Sequence, residues 1–205
     1  MAIIDAHVAA RAGWTMTDLA SAYLSGGATL LQVRAKKAPS GWLLDIASAI
    51  VTLAHRANAI VIVNDRADIA RLSGADGVHI GQQDLPPASV RGLVGAEAIV
   101  GLSTHTSKQV DAALHEPVSY IAIGPVFGTD TKTTGYGALG KESVRRAADR
   151  AREREMPLVA IGGVTLETAA DVICAGATTV AVISDLLATG DPAARVRAYL
   201  ARLTV

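Results

Sequence analysis

"AIVIVNDRADIARLSGADGVHIGQQD", residues 59–84, holds two apolar runs separated by a stretch of helical periodicity. The first run, from Ala59 to Val63, is largely β-branched and passes straight into Asn64, Asp65 and Arg66. "RADIARLSG" then reads as a helix, and "GVHI" from Gly77 runs on into Gln82, Gln83 and Asp84. Neither run alternates apolar with polar residues. That is the habit of strands buried on both faces, in parallel sheets covered by helices. Each nevertheless finishes at a carboxylate among polar neighbours. A solvated loop would explain that blandly, and a site built at strand ends would explain it functionally.

The same unit recurs. "AII", "TLLQV", "AIVIV", "GVHI", "AIVGL", "YIAIG", "PLVAIGG" and "TTVAVIS" follow one another, with helical stretches such as "SGWLLDIASAIVTLAHRA" and "ESVRRAADRAREREM" between them. Eight strand candidates in 205 residues give roughly 26 residues per unit, a spacing that suits strand–helix repeats with parallel pairing. The expected fold is α/β, a single-domain (β/α)8 TIM barrel over residues 1–205, with an open doubly wound sheet as the alternative. No linker, charge block or low-complexity tract divides the chain. The one long irregular stretch, "GPVFGTDTKTTGYGALG", follows the sixth strand, and loops of that length are usually functional or disordered.

Composition narrows the partners. Half the chain is apolar but only 3% is aromatic, so the core must be built from Ala, Val, Ile and Leu. Lys and Arg total 19, as do Asp and Glu. Without a basic excess there is little counterion release to gain, so nucleic acid is not an expected partner. The lone Cys174 precludes an internal disulfide or a multi-cysteine zinc site, and its small-residue setting in "AADVICAGA" predicts a buried structural thiol. "MAIIDAHVAARAG" lacks the basic region of a signal peptide, and no apolar run nears the roughly 18 residues of a membrane span. A soluble cytoplasmic chain with no membrane partner is expected. The outer helix faces show no apolar patch separable from the core, so a homo-oligomer stays open.

Placed by strand, the polar residues converge. Gln32 and Arg34 end the second strand with Lys36 just beyond, Asn64 and Asp65 end the third, and Asp84 follows the fourth. Ser103 follows the fifth, Thr129, Thr131 and Lys132 the sixth, Gly162-Gly163 the seventh and Ser184 the eighth. In a barrel all of these lie at the C-terminal mouth, where such enzymes place their chemistry. Asp65 and Asp84, with the amides of Asn64, Gln82 and Gln83, suit Mg²⁺; read blandly, they are N-caps of the helices that follow. Arg34, Lys36 and Lys132 would meet a diphosphate beside that metal, or are simply solvated cations. "AIGGVT" and "AVISDLL" resemble a phosphate cradle made by the loops after strands seven and eight. His79 reads as a packed strand histidine that could reach the mouth. No G-x-S-x-G, Walker lysine or HExxH occurs, and the histidines (7, 55, 79, 105, 115) lack metal-ligand spacing. Two anion pockets, one with a metal and neither with a covalent nucleophile, imply substrates that bring their own nucleophile and leaving group.

"LLQVRAK", "VNDRADIA…GADGVHIGQQDLP", "GLSTH", "YIAIGPVFGTDTK" and "AIGGVT…AGATTVAVIS" resemble, in order and across nearly the whole chain, the thiamine-phosphate synthase family. The Asn-Asp-Arg to Gly-Gln-x-Asp-Leu-Pro segment is highly specific, whereas the Gly-Gly and Val-Ile-Ser ends occur in many phosphate-binding barrels. The resemblance implies a (β/α)8 barrel that joins 4-amino-2-methyl-5-(diphosphooxymethyl)pyrimidine to a (carboxy)thiazole phosphate, giving thiamine phosphate and diphosphate. It implies that Gln32, Arg34, Lys36 and Asn64 hold the pyrimidine diphosphate, that Asp65 and Asp84 bind Mg²⁺, and that Ser103 and Lys132 contact the diphosphate. Of these, Arg34, Lys36, Ser103 and Lys132 carry the catalysis. Thr129 and Thr131 would face the thiazole, and Gly163, Ile183 and Ser184 would cradle its phosphate. Two positions depart from the commonest pattern: Ala35 replaces an acidic residue, and "TKTTGYGALG" departs from the usual Thr-Lys-Lys continuation. A thiazole tautomerase shares much of this pattern, but it carries a histidine where this chain has Pro125 and lacks the equivalent of Asp65. A non-catalytic, thiazole-phosphate-binding regulatory barrel is a second alternative, and a generic phosphosugar isomerase a third, although no strand body carries the catalytic Glu or Lys it would want.

Overall fold

Each of the eight β-branched runs forms a strand. The computed structural model describes residues 1–128 and 135–203. The strands are β1 (Ala2–Asp5), β2 (Leu30–Arg34), β3 (Ile60–Asn64), β4 (Gly77–Ile80), β5 (Ile99–Thr104), β6 (Tyr120–Ile123), β7 (Leu158–Ile161) and β8 (Thr179–Ala181). The helices are α1 (Ala6–Arg11), α2 (Met16–Ser25), α3 (Ser40–Arg56), α4 (Ala67–Ser73), α5 (Pro87–Val94), α6 (Ser107–Ala113), α7 (Gly140–Arg152), α8 (Leu166–Cys174) and α9 (Pro192–Leu203). A short 3₁₀ turn, Ser184–Leu187, precedes α9.

The strands pair in sequence order, all parallel. Ala2 also bridges Val182 in parallel. There the Ile3 N–H donates to the Val182 carbonyl at 3.0 Å, and the Val182 N–H donates to the Met1 carbonyl at 3.1 Å. The sheet therefore returns to its first strand. Sequential order with this return excludes the doubly wound alternative, whose strand order reverses partway.

Successive strand residues point to opposite faces, which divides the apolar residues into two sets. Leu31, Val33, Val61, Val63, Val78, Ile80, Val100 and Leu102 belong to the large core shared with the helices, among them Ala47, Ile50 and Ala54 of α3. Ile3, Tyr120, Ala122, Val159 and Ala181 form a smaller cluster inside the barrel. Gln32, Asn64, His79 and Ser103 occupy the positions between the outward residues of their strands, so they share the inward parity. A barrel interior this narrow is filled by side chains at one end, leaving the other end for function.

Cys174 corrects the expectation of a buried thiol, because it is exposed. It closes α8, whose buried positions are Ala169 and Val172. Two residues on from Val172, at about 100° per residue, the side chain has turned to the outer face. Among the described residues, no helix is long and apolar enough to cross a membrane.

Two glycines test the packing in opposite directions. A Cβ on Gly77 would stand 2.1 Å from the Ile99 carbonyl oxygen, whereas one on Gly92, in exposed α5, would meet nothing within 4 Å. Gly77→Ala is expected to lower the thermal midpoint because a β5 backbone atom must move. Gly92→Ala is expected to raise stability by about 0.5–1 kcal/mol through the helix entropy that glycine forfeits. Thermal unfolding of both variants checks this pair.

Candidate functional site

A cavity of about 670 Å³ opens at the C-terminal ends of the strands. Gln32, Arg34, Asn64, His79, Ser103 and Tyr120 line it from β2 to β6, and Gly162, Gly163, Ile183, Ser184 and Asp185 line it from the loops after β7 and β8. The volume lies within the usual range for small-molecule sites.

Inside the barrel a polar relay crosses the strands. His79 shares one hydrogen bond from Nδ1 with Tyr120 Oη at 2.8 Å and another from Nε2 with Ser103 Oγ at 2.8 Å. The two rings stack at 5.5 Å between centroids. Burial pushes the Tyr120 phenol well above its ordinary pKa, so it stays protonated. The Gln82 amide donates to the Ser103 carbonyl at 2.7 Å. Gly101 makes room for this arrangement, since a Cβ there would lie 2.1 Å from the Tyr120 ring. Ser103 thus reaches the cavity with its orientation set from both sides.

The charged residues form two pairs. Arg34 is ion-paired to Asp5, a carboxylate only 4% exposed that also caps α1 by accepting from the His7 and Val8 N–H groups, each at 3.0 Å. Lys36 Nζ lies 3.0 Å from Asp65 Oδ2. Asp65 adopts φ 64°, a left-handed conformation that Asp tolerates better than most residues, and its N–H donates to the His79 carbonyl at 2.7 Å. Asp84 accepts the Gly81 N–H at 2.6 Å. Burial raises the Asp84 carboxyl above its ordinary pKa; the Gly81 bond opposes that rise, and contact with the negative Asp65 adds to it. Neither aspartate is an N-cap: Arg66 occupies that position for α4 and Pro86 for α5.

Two carboxylates held against each other, with a half-exposed lysine as their counterion, fit a hard divalent cation. Such an ion takes one or two carboxylates and completes its shell with water and ligand oxygens. Among the described residues no cluster of three or more His, Cys, Asp or Glu stands ready for a metal, so a closed protein cage is not the arrangement here. Asn64 adds an independent sign of a ligand: its buried Nδ2 has no hydrogen-bond partner. A donor in that state is costly unless something fills the site.

At the other end, Gly162 and Gly163 take φ 100° and 65°. A Cβ on Gly163 would sit 2.4 Å from the Gly128 carbonyl oxygen. The Val126 and Phe127 N–H groups donate to the Ile161 and Gly162 carbonyls, each at 2.9 Å, fastening the β6 loop over this turn. Close backbone approach of this kind suits an anion.

Of the residues expected at the mouth, Gln32, Arg34, Asn64, Ser103, Gly163, Ile183 and Ser184 line one cavity. Lys36, Asp65 and Asp84 gather as a cluster at the ends of the neighbouring strands. Thr129, Thr131 and Lys132 lie outside the described residues. Sequence reasoning missed Asp5, although a carboxylate closing the apolar "AIID" was the same signal it used elsewhere. Tyr120 it read only as a strand residue. His79 it left undecided, and the structure places it on the cavity wall.

The unpartnered Asn64 amide gives a direct test. Asn64→Leu keeps the side chain's size while removing a buried unsatisfied donor, worth about 1–3 kcal/mol. The thermal midpoint of the ligand-free variant is expected to equal or exceed that of the wild type. A clear fall would show that the amide stabilises the empty protein.

The comparisons agree on one family. The family model described as thiamine monophosphate synthase matches residues 1–186. The thiamine-phosphate synthase of Roseiflexus sp. (strain RS-1) is 40% identical over 183 residues, which is 89% of this chain and 76% of that protein. That of Chlorobium luteolum is 40% identical over 184 residues, 90% of this chain and 85% of that one. Among solved structures, thiamine phosphate pyrophosphorylase from Pyrococcus furiosus superposes with a TM-score of 0.87 at 27% identity, covering 98% of this chain and 93% of that chain. A 3-hexulose-6-phosphate synthase, at 18% identity and a TM-score of 0.70, shares the fold alone. The chain is an enzyme of the transferase class and belongs to the thiamine monophosphate synthase family.

Proposed function

We propose that this chain joins 4-amino-2-methyl-5-(diphosphooxymethyl)pyrimidine to a thiazole phosphate, forming thiamine phosphate and releasing diphosphate. The observation that carries the reading is a single cavity with two anion-suited ends. Arg34, Asn64 and Ser103 stand at one end beside the Lys36–Asp65–Asp84 cluster, and the Gly162-Gly163 turn and Ser184 stand at the other. A diphosphate at the first end and a phosphate monoester at the second would bring the two heterocycles together between them.

The reaction asks the protein for position and charge. The bond from the exocyclic methylene to the diphosphate oxygen breaks, and its electron pair leaves with the diphosphate. The pyrimidine's 4-amino group donates into the ring and supports the positive charge left on the methylene. The thiazole nitrogen already carries a lone pair, so it forms the new C–N bond without a general base. Arg34, its guanidinium oriented by Asp5, binds and stabilises the departing oxygens, as preorganised cations do where charge develops. Ser103, oriented by His79, offers a hydroxyl donor, and the Asn64 amide gains the acceptor it lacks. Mg²⁺, held by Asp65 and Asp84, supplies further positive charge to the diphosphate when bound. Gly163, Ile183 and Ser184 hold the thiazole's phosphate. Small-molecule substrates of this kind need neither a nucleic acid nor a membrane partner.

Formation of thiamine phosphate from the two substrates, measured with and without Mg²⁺, tests the reading. Product in step with diphosphate, dependent on both substrates and the metal, is the expected outcome. No product in any combination would overturn it. Asp65→Asn is expected to cut kcat by orders of magnitude with an unchanged thermal midpoint, and full turnover in that variant would remove Asp65 from metal binding. Gly163→Ala is expected to raise the KM for the thiazole phosphate far more than that for the pyrimidine diphosphate, since the new methyl group must displace the turn.

A further inference from the structure

Asp185 poses a puzzle at the phosphate end of the cavity. It lines the same wall as Gly163 and Ser184, where an uncompensated carboxylate would repel a phosphate. Its charge is met from outside the barrel. Arg195 of α9 donates to Asp185 Oδ2 from Nε at 3.1 Å, and from Nη2 to Oδ1 and Oδ2 at 3.0 and 2.9 Å. Arg195 Nε also reaches the Asp185 backbone carbonyl at 3.2 Å. Tyr199, one turn on along α9, donates its hydroxyl to Oδ2 at 2.5 Å. Both charged side chains are largely buried, at 13% and 14% exposure.

The same carboxylate also ties the two phosphate loops together. The Leu166 N–H donates to Asp185 Oδ2 at 3.2 Å, and Leu166 opens α8 directly after the segment that carries Gly162 and Gly163. Asp185 itself is the second residue of the 3₁₀ turn that begins at Ser184. Removing the carboxylate loosens both loops, and keeping it places a negative charge beside the phosphate. An arginine fork resolves the conflict, because it holds a carboxylate in two places and cancels its charge.

We propose that Arg195 is a positioning residue for the phosphate subsite. From α9 it neutralises Asp185, so that the loops after β7 and β8 can be pinned by a carboxylate and still accept a phosphate monoester. The inference rests on the proposed function in taking that monoester to be the thiazole phosphate. Loss of one partner of a buried pair leaves an uncompensated charge, so the consequence of losing Arg195 is specific: repulsion at one subsite, relieved when Asp185 is neutralised as well.

The test compares wild type, Arg195→Met, Arg195→Lys, Asp185→Asn and the double variant Arg195→Met/Asp185→Asn. Steady-state rates of thiamine phosphate formation are read with each substrate varied in turn, and inorganic phosphate binding is measured by titration calorimetry without turnover. Arg195→Met should raise the KM for the thiazole phosphate by about tenfold or more, the scale of one lost charge interaction. The KM for the pyrimidine diphosphate should hold within about twofold on the same scale. Arg195→Lys, which keeps the charge, should sit much closer to wild type, and adding Asp185→Asn to Arg195→Met should recover most of the loss. A double variant as impaired as Arg195→Met, or an equal rise in both KM values, would overturn the charge-compensation role. If wild type makes no thiamine phosphate but inorganic phosphate binding follows this order across the variants, the substrate assignment fails and the role of Arg195 stands. If wild type makes thiamine phosphate and phosphate binding ignores the order, the role of Arg195 fails and the assignment stands.

Discussion

The hydrogen bonds that join β8 back to β1, through Val182 with Met1 and Ile3, make every other feature of the site possible. An open sheet would spread its strand ends along a line. Once the last strand returns to the first, the inward residues of all eight face one interior, and their polar ends surround one mouth. Residues as distant in the chain as Ile3 and Tyr120 share one interior cluster by this ring alone. Short strands suffice because the helices, rich in alanine on their buried faces, approach the outside of the ring closely and cover it.

The mouth keeps polar groups in states that the fold alone would not favour. Asn64 buries an unpaired amide, Asp65 takes a left-handed backbone, and Asp84 is pressed against a second carboxylate. Such departures from ordinary packing gather at functional sites, where a ligand repays the cost. Asp5 and Asp185 behave differently. Each is a carboxylate matched by an arginine, and each also caps or pins backbone N–H groups. These two ion pairs tie down the rim from β8 round to β2, on one side of the strained groups at the ends of β3 and β4, and leave those groups to the ligand.

Much of this was legible along the chain. The eight apolar runs marked the eight strands because β-branched residues without alternation have few other homes than a doubly covered parallel sheet. The strand-end residues marked the mouth because a parallel barrel has one functional face. Legibility failed where it depended on side-chain direction. Cys174 was expected inside, and helical rotation past Val172 puts it outside. Tyr120 looked like one more strand residue, but its inward parity and the absence of a side chain at Gly101 make it the centre of the polar relay.

By itself, the sequence determined the number of strands, their parallel sense and which residues stand at their C-terminal ends, since those follow from local apolar runs and the helices between them. Only the tertiary structure decided which of these residues meet. Asp5 and Arg34 are 29 positions apart, His79 and Tyr120 41, and Asp185 and Arg195 10. Such pairings depend on strand register, on the inward or outward parity of each side chain, and on where α9 packs. Those are properties of the closed ring as a whole, which no local stretch of sequence carries.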